Sequence, residues 1–247
     1  MGGEKFEKLK NEIKMRRIVR ESVGVYPRIL RKVVPLLSNL PYHHGLQHAK
    51  DVRKLAAELA RTDGIISQEA YSLMGIISIN HDIYDHKTDP LGENKCHFNR
   101  ILAETTSSIL HKFIIDCIDR VSMSREMKHG SGDWHILMPG GVLIRNYVSD
   151  ADKLLSLGTE GYDRILDYNT EKLSLRQRSL LSPQQARVLV NEVDHVVQFR
   201  MLEVPNYIRT PAAKKIATAK LDELLRVHSE WRENILSHTV RDDHPPP

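Results

Sequence analysis

The sequence predicts an all-α protein, a single compact multi-helix bundle with an N-terminal helical extension. Apolar residues recur at three- and four-residue spacing along most of the chain. Proline and glycine are sparse through its middle, and no low-complexity linker or self-similar repeat breaks the pattern. With 247 residues, 40% of them hydrophobic, the chain can bury one large core. The expected organisation is a helical extension over residues 1–38, one domain over 39–236 and a disordered tail over 237–247 that ends in three prolines.

Composition narrows the setting. Cys96 and Cys117 stand far apart and in no ligand-like spacing, which fits a reducing compartment, so a cytoplasmic protein is expected. The N-terminus is charged, and the apolar run from Leu73 to Ile79 is far too short to span a bilayer, so no membrane partner is expected. Met1-Gly2 is no myristoylation signal, because Phe6 occupies the place of the required hydroxyl residue. Thirty-six basic against 32 acidic residues give a net charge of +4, a mild excess that suits anionic ligands and decides nothing alone.

Taken in order, Glu4 to Arg20 reads as an amphipathic helix with Phe6, Leu9 and Ile13 on one side and Glu4/Lys8 and Glu12/Arg16 pairs at i,i+4 spacing. Its basic end, Lys14 to Arg17, is either a solvated helix surface or a contact for nucleic acid or an acidic partner. A second segment, Tyr26 to Leu37, runs to a boundary at Pro41. The next helix follows Tyr42-His43-His44-Gly45-Leu46-Gln47-His48, with His48 on the buried stripe of Val52, Leu55, Ala56 and Leu59. His48 is then a hydrogen-bonded core residue or a ligand, and His44, one turn earlier, can line the same cavity.

Ser67 to Asn80 forms a helix that buries Leu73, Met74, Ile76 and Ile77, and its C-terminal end presents His81 and Asp82. Two further helices are expected near Asn99 to Leu110 and His111 to Val121. Lys128 to Gly141 reads as a long loop of the kind that forms lids. Gly140-Gly141 is no phosphate-binding loop, since no Lys-Ser/Thr follows. A helix starting at Asp150 would use Asp150 as its N-cap and Asp152 as a first-turn dipole partner. Ser182 to Met201 and Thr210 to Trp231 are helical by pattern, broken by Pro205 and Pro211.

His81-Asp82 sets a neutral nitrogen donor beside an anionic oxygen donor, a combination that borderline and hard divalent ions accept. As a dipeptide it is weak evidence, and a metal site needs other residues to converge on it.

The order His48, then His81-Asp82, then Asp152 resembles the signature of the HD-domain superfamily of metal-dependent phosphohydrolases, an all-helical fold. His44 to Val52 is similar to that family's first motif, His81 to Lys87 to its second, and Val121 to Glu126 to a Ser-containing helix end. Asp150 to Leu154, with Gly158, Gly161 and Arg164, is similar to the final motif, a resemblance that aligns Asp152 with the metal-binding acid and leaves Asp150 as an N-cap or as a partner supporting the ligands. Tyr207-Ile208-Arg209-Thr210 resembles the C-terminus of the small nucleotide-hydrolysing members, so the likeness runs from Pro41 to Trp231. Two positions depart from the pattern: Asp51 stands where relatives tend to carry Arg, and Leu155 where many carry another acid.

The resemblance implies that His48, His81, Asp82 and Asp152 ligate a divalent ion, Mn²⁺ or Mg²⁺ first, with Co²⁺, Ni²⁺ or Fe²⁺ compatible. Two imidazoles with two carboxylates suit such ions better than a closed structural zinc site. It implies hydrolysis of a phosphoanhydride or phosphoester of a small-molecule nucleotide, a nucleoside triphosphate before a monophosphate. Asp85 is placed on the water, as proton carrier or as an orienting group. Lys87 acts with it, and Lys87, Arg125, Lys153 and Arg164 are placed on phosphate.

Two other readings stand beside this one. An HD-fold di-iron oxygenase needs extra His ligands, and none of His86, His97, His111 and His129 has a persuasive spacing. A helical nucleic-acid-binding module would rely on the basic N-terminal helix, but with 6% aromatic residues and no recognised motif nucleic acid is disfavoured as a partner. A homo-oligomer is left open.

Overall fold

The computed structural model describes residues 2–40, 44–85, 89–129, 140–173 and 181–240. Among them are ten α-helices and no strand: α1 (Gly2–Ser38), α2 (Leu46–Thr62), α3 (Gln68–Asn80), α4 (Glu93–Thr105), α5 (Ser108–Ile118), α6 (Met123–His129), α7 (Gly141–Leu155), α8 (Gly158–Lys172), α9 (Pro183–Val196) and α10 (Pro211–Val240). A π-helical turn, Val197–Met201, and a 3₁₀ turn, Val204–Tyr207, lie between α9 and α10. The expected all-α class is the class found. No helix among the described residues is long and apolar enough to cross a membrane.

The chain divides into two compact units, one of residues 1–152 with 209–212 and one of residues 153–208 with 213–247. In the first, α3 is the central rod, apolar or small on almost every side, and every residue from Ser72 to Asn80 is buried. A helix that is apolar all round belongs inside a core. Ser67 caps its start by accepting from the Ala70 N–H, with Glu69 favourably placed in the first turn.

Helix α1 packs against α3. It buries Ile18, Val25, Ile29, Val33 and Leu37, a three- and four-residue repeat along one face. Each of these side chains contributes about 1.5–3 kcal/mol of transfer free energy. The approach is close at Gly75, where an added Cβ would stand 3.1 Å from the Tyr26 ring. Helices α2 and α5 also pack on α3, and α4 and α5 on α1. The Ser107 cap of α5 is tied to α1 through the Glu21 carboxylate, which accepts from both the Ser107 N–H and hydroxyl.

In the second unit α9 begins with a full capping box, Ser182 with Gln185, and Pro183 in the first turn. Helix α8 starts at Gly158, whose φ of +74° favours glycine. Its buried Tyr162 hydroxyl meets His228 Nδ1 of α10 at 3.0 Å, and His228 Nε2 in turn stands 3.0 Å from Asp194 of α9.

Several sequence expectations are corrected. The two expected N-terminal helices are one continuous helix that contains Pro27 and Pro35. Both prolines are exposed, so the carbonyls they leave without a helical partner lie toward water. The expected break at 110/111 falls instead at Thr106-Ser107, because Ser107 caps α5. Lys128 and His129 finish α6 and Gly141 opens α7, so the expected lid reduces to residues 130–139, outside the described residues. The tail from residue 241 and the side chains of Phe6, Leu9 and Ile13 also lie outside them.

Candidate metal centre

Two imidazoles face each other in the first unit. His48 lies in the first turn of α2 and is buried with Ala49, Val52, Ala56 and Leu59. His81 follows Asn80 as the C-cap of α3, where the turn after it is anchored by the buried Ile83 and Tyr84. The ring centroids are 5.2 Å apart. His81 Nδ1 donates to the Ser78 carbonyl at 2.7 Å, one of the carbonyls a helix end leaves open. That bond commits Nδ1 as the donor, so Nε2 is the nitrogen whose lone pair an ion can take once its proton leaves. Buried His81 Nε2 makes no hydrogen bond among the described residues.

Two carboxylates complete the group. Asp82 Oδ2 stands 3.5 Å from His81 Nε2 and 3.6 Å from His48 Nε2, and Asp152 Oδ1 stands 3.2 Å from His48 Nε2 and 3.6 Å from His81 Nε2. His48, His81 and Asp82 each offer one donor atom within a common 4.8 Å. Donors about 2.1 Å from one ion are about 3.0–3.4 Å apart in octahedral or tetrahedral arrangements. The observed spacing therefore fits a divalent ion after small adjustments.

Electrostatics agree with that fit. Burial disfavours a charge on His81, yet Asp82, Asp152 and the Ser78 carbonyl outweigh it and raise its pKa to about 9. Burial likewise opposes the charge on Asp152, but the close imidazoles of His48 and His81 hold its carboxyl well below the usual range. Asp82 is lowered against its burial by His81 and His44. Two carboxylates gathered on buried imidazoles at the C-terminal end of α3 suit a cation.

No family model matches the chain, and no curated protein matches it by sequence. Solved structures do match. A structural-genomics protein from Lactobacillus plantarum superposes with a TM-score of 0.59 at 18% identity, over 87% of this chain and 96% of its own. YpgQ from Bacillus subtilis, solved in complex with ADP, superposes with a TM-score of 0.58 at 15% identity over the same shares. This chain has the fold of these two proteins. An HD-superfamily hydrolase from Bacillus thuringiensis aligns at a TM-score of 0.47 and 20% identity, over 90% of this chain and 97% of its own, too loosely to bear on the fold.

The remaining sequence-derived residues fall in varied places. Asp85 is half-buried just past the 81–84 turn, its N–H on the Asp82 carbonyl. Lys87 lies outside the described residues. Arg125 donates to Asp119 Oδ1 at 3.1 Å. Lys153, buried, donates from Nζ to the Tyr207 carbonyl at 3.1 Å, and Arg164 is half-buried on α8; both belong to the second unit. Asp51, one departure from the family pattern, accepts from Gln47 at 2.9 Å. Of the extra histidines, His111 meets Asn99 at 3.1 Å and His97 is exposed. Neither joins the cluster, while His86 and the His129 side chain lie outside the described residues.

Two residues take roles that differ from the reading of the sequence or sharpen it. Asp150 does not cap a helix of its own, because α7 begins nine residues earlier at Gly141. Its fully buried carboxylate instead accepts the Arg209 and Thr210 N–H groups. His44, read only as a cavity residue, brings Nδ1 to 2.7 Å from Asp82 Oδ2. Its spacing four residues before His48 was the available signal, and the Ser78 carbonyl, three residues before a C-cap histidine, was legible in the same way.

Proposed function

We propose that this chain is an HD-domain phosphohydrolase that cleaves a phosphoanhydride or phosphoester bond of a nucleotide with a bound divalent ion, His48, His81, Asp82 and Asp152 holding it. The observation that carries the reading is the buried His81 Nε2, fixed by the Ser78 carbonyl, without a hydrogen bond and 3.5–3.6 Å from two carboxylate oxygens. The donor set of imidazole and carboxylate favours Mn²⁺ or Mg²⁺ over a structural zinc. The fold shared with YpgQ, a protein solved with ADP, supports a nucleotide as the ligand class.

When bound, the ion supplies Lewis acidity toward a phosphoryl oxygen and lowers the pKa of a water from 15.7 toward about 7. The chain's own residues do the rest. Ser78 sets the His81 ring, and His44 holds the Asp82 carboxylate. Asp85 takes or orients the proton of the attacking water. Lys87 neutralises phosphate charge, whereas Arg125 reaches a phosphate only by leaving Asp119. A nucleoside triphosphate is the first expected substrate.

The test is metal analysis of the purified protein, then a nucleotide panel assayed with Mn²⁺ or Mg²⁺, products separated by chromatography. Divalent-dependent release of phosphate or pyrophosphate is expected. Failure of every nucleotide with every divalent ion overturns the reading.

A further inference from the structure

Asp152 reaches the cluster from α7, twelfth of its fifteen residues, so its place depends on how α7 is rotated about its own axis. A carboxylate lies about 5 Å from a helix axis, so a 10° rotation moves it about 0.9 Å. A metal site tolerates about 0.2 Å. Something has to hold that rotation.

The first unit contains such a device. Asp150, about 200° around the helix from Asp152, points its fully buried carboxylate away from the cluster. There Oδ2 accepts from the Arg209 N–H at 3.0 Å and the Thr210 N–H at 2.6 Å, and Oδ1 from Arg209 at 3.2 Å. These charge-assisted bonds tie α7 to the short segment 209–212. That segment is itself fixed from two sides. Arg209 pairs through its guanidinium with the fully buried Glu126 of α6, one contact at 3.2 Å. The Ala212 N–H donates to Asp63 Oδ2 at 3.2 Å, and Asp63 is the C-cap of α2, the helix that carries His48. The same Asp63 oxygen accepts the Tyr147 hydroxyl of α7 at 3.0 Å, so α7 is referred to α2 both directly and through the segment.

Resting on the metal-site reading above, we infer that Asp150, Arg209 and Glu126 are positioning residues that set the rotation of α7, and so the distance of the Asp152 carboxylate from His48 and His81. None of the three touches the ion. Their effect is on how well Asp152 meets it.

The experiment titrates Mn²⁺ into purified full-length wild type, Asp150→Asn, Arg209→Lys and Asp152→Asn at 20 °C by calorimetry, with far-UV circular dichroism of each metal-free protein. Arg209→Lys keeps the charge of a partly exposed residue but loses the fork that grips Glu126, so it carries the test should Asp150→Asn fail to fold. The expected result is at least a tenfold rise in the Mn²⁺ dissociation constant for Asp150→Asn and at least threefold for Arg209→Lys, with unchanged helicity. A purely structural role would lower the melting temperature and leave affinity alone. If wild type binds Mn²⁺, Asp152→Asn loses it, and folded Arg209→Lys binds within twofold of wild type, the inference is overturned while the metal-site reading stands. If wild type binds no Mn²⁺, or Asp152→Asn binds normally, both fall.

Discussion

Loading the site with metal should release a proton, and the structure sets its size. His81 is raised from 6.5 to about 9, burial opposing and the Asp82 and Asp152 carboxylates driving the shift. The metal-free ring is therefore charged at neutral pH, and an incoming ion has to displace that proton. At pH 7 the gap is about two units, leaving about one molecule in a hundred with His81 neutral, a handicap of about 3 kcal/mol. From pH 6 to 8 the logarithm of the apparent Mn²⁺ affinity should climb by about one per pH unit. Calorimetric titration at pH 7 in buffers of different ionisation enthalpy measures the release, expected to be at least about one proton per ion. Zero release refutes the reasoning.

The same shifts govern the metal-free protein. His81, with a folded pKa above its unfolded value, contributes stability that is fully present below pH 6.5 and is lost as pH rises through about 9. Asp152, depressed, contributes above pH 3.8 and loses that contribution as pH falls through its folded value. The two describe one charge cluster and are counted once. The apo melting temperature should thus fall from pH 6.5 to 9, while Mn²⁺ protection grows over that range.

Three further outcomes are expected. His81→Ala and Asp82→Ala should each lose bound metal and turnover together and keep their helicity, because both follow the last residue of α3; metal content by plasma emission and circular dichroism check this, and wild-type metal content would place the site elsewhere. Asp85→Asn and Lys87→Ala should lower turnover or raise KM while retaining metal, and unchanged kinetics in both would remove them from the reaction. Gly161→Ala should destabilise the protein by about 1–3 kcal/mol, since a Cβ there would stand 2.3 Å from the Ser156 carbonyl carbon; an unchanged urea midpoint contradicts that packing.

The residues that could be read from sequence are those whose neighbours in the fold follow a local rule. His48 lies on an apolar stripe, and His81-Asp82 ends an apolar run, so their direction follows from helical periodicity alone. That α7 would bring Asp152 beside them came from the order of the motifs, not from spacing, and the structure does assemble His48, His81, Asp82 and Asp152. Of the two roles open to Asp150, N-cap or support behind the metal ligands, the N-cap falls because α7 starts at Gly141, and its actual partners, Arg209 and Thr210, lie 59 and 60 residues away, beyond any local rule. The continuity of α1 was missed between Arg20 and Tyr26, a stretch that contains Gly24, while Pro27 and Pro35, both inside the second expected segment, cost little where the freed carbonyls lie toward water. Arg125 and Lys153 read as open cations, since nothing local announces Asp119 or the Tyr207 carbonyl as their partners.

The central claim, that His48, His81, Asp82 and Asp152 hold a divalent ion, is tested most directly by anomalous diffraction at the manganese edge from crystals grown with Mn²⁺. The account predicts a peak about 2.0–2.3 Å from His48 Nε2, His81 Nε2 and one oxygen each of Asp82 and Asp152. A fully occupied Mn²⁺ elsewhere, with no density among these four side chains, would contradict it.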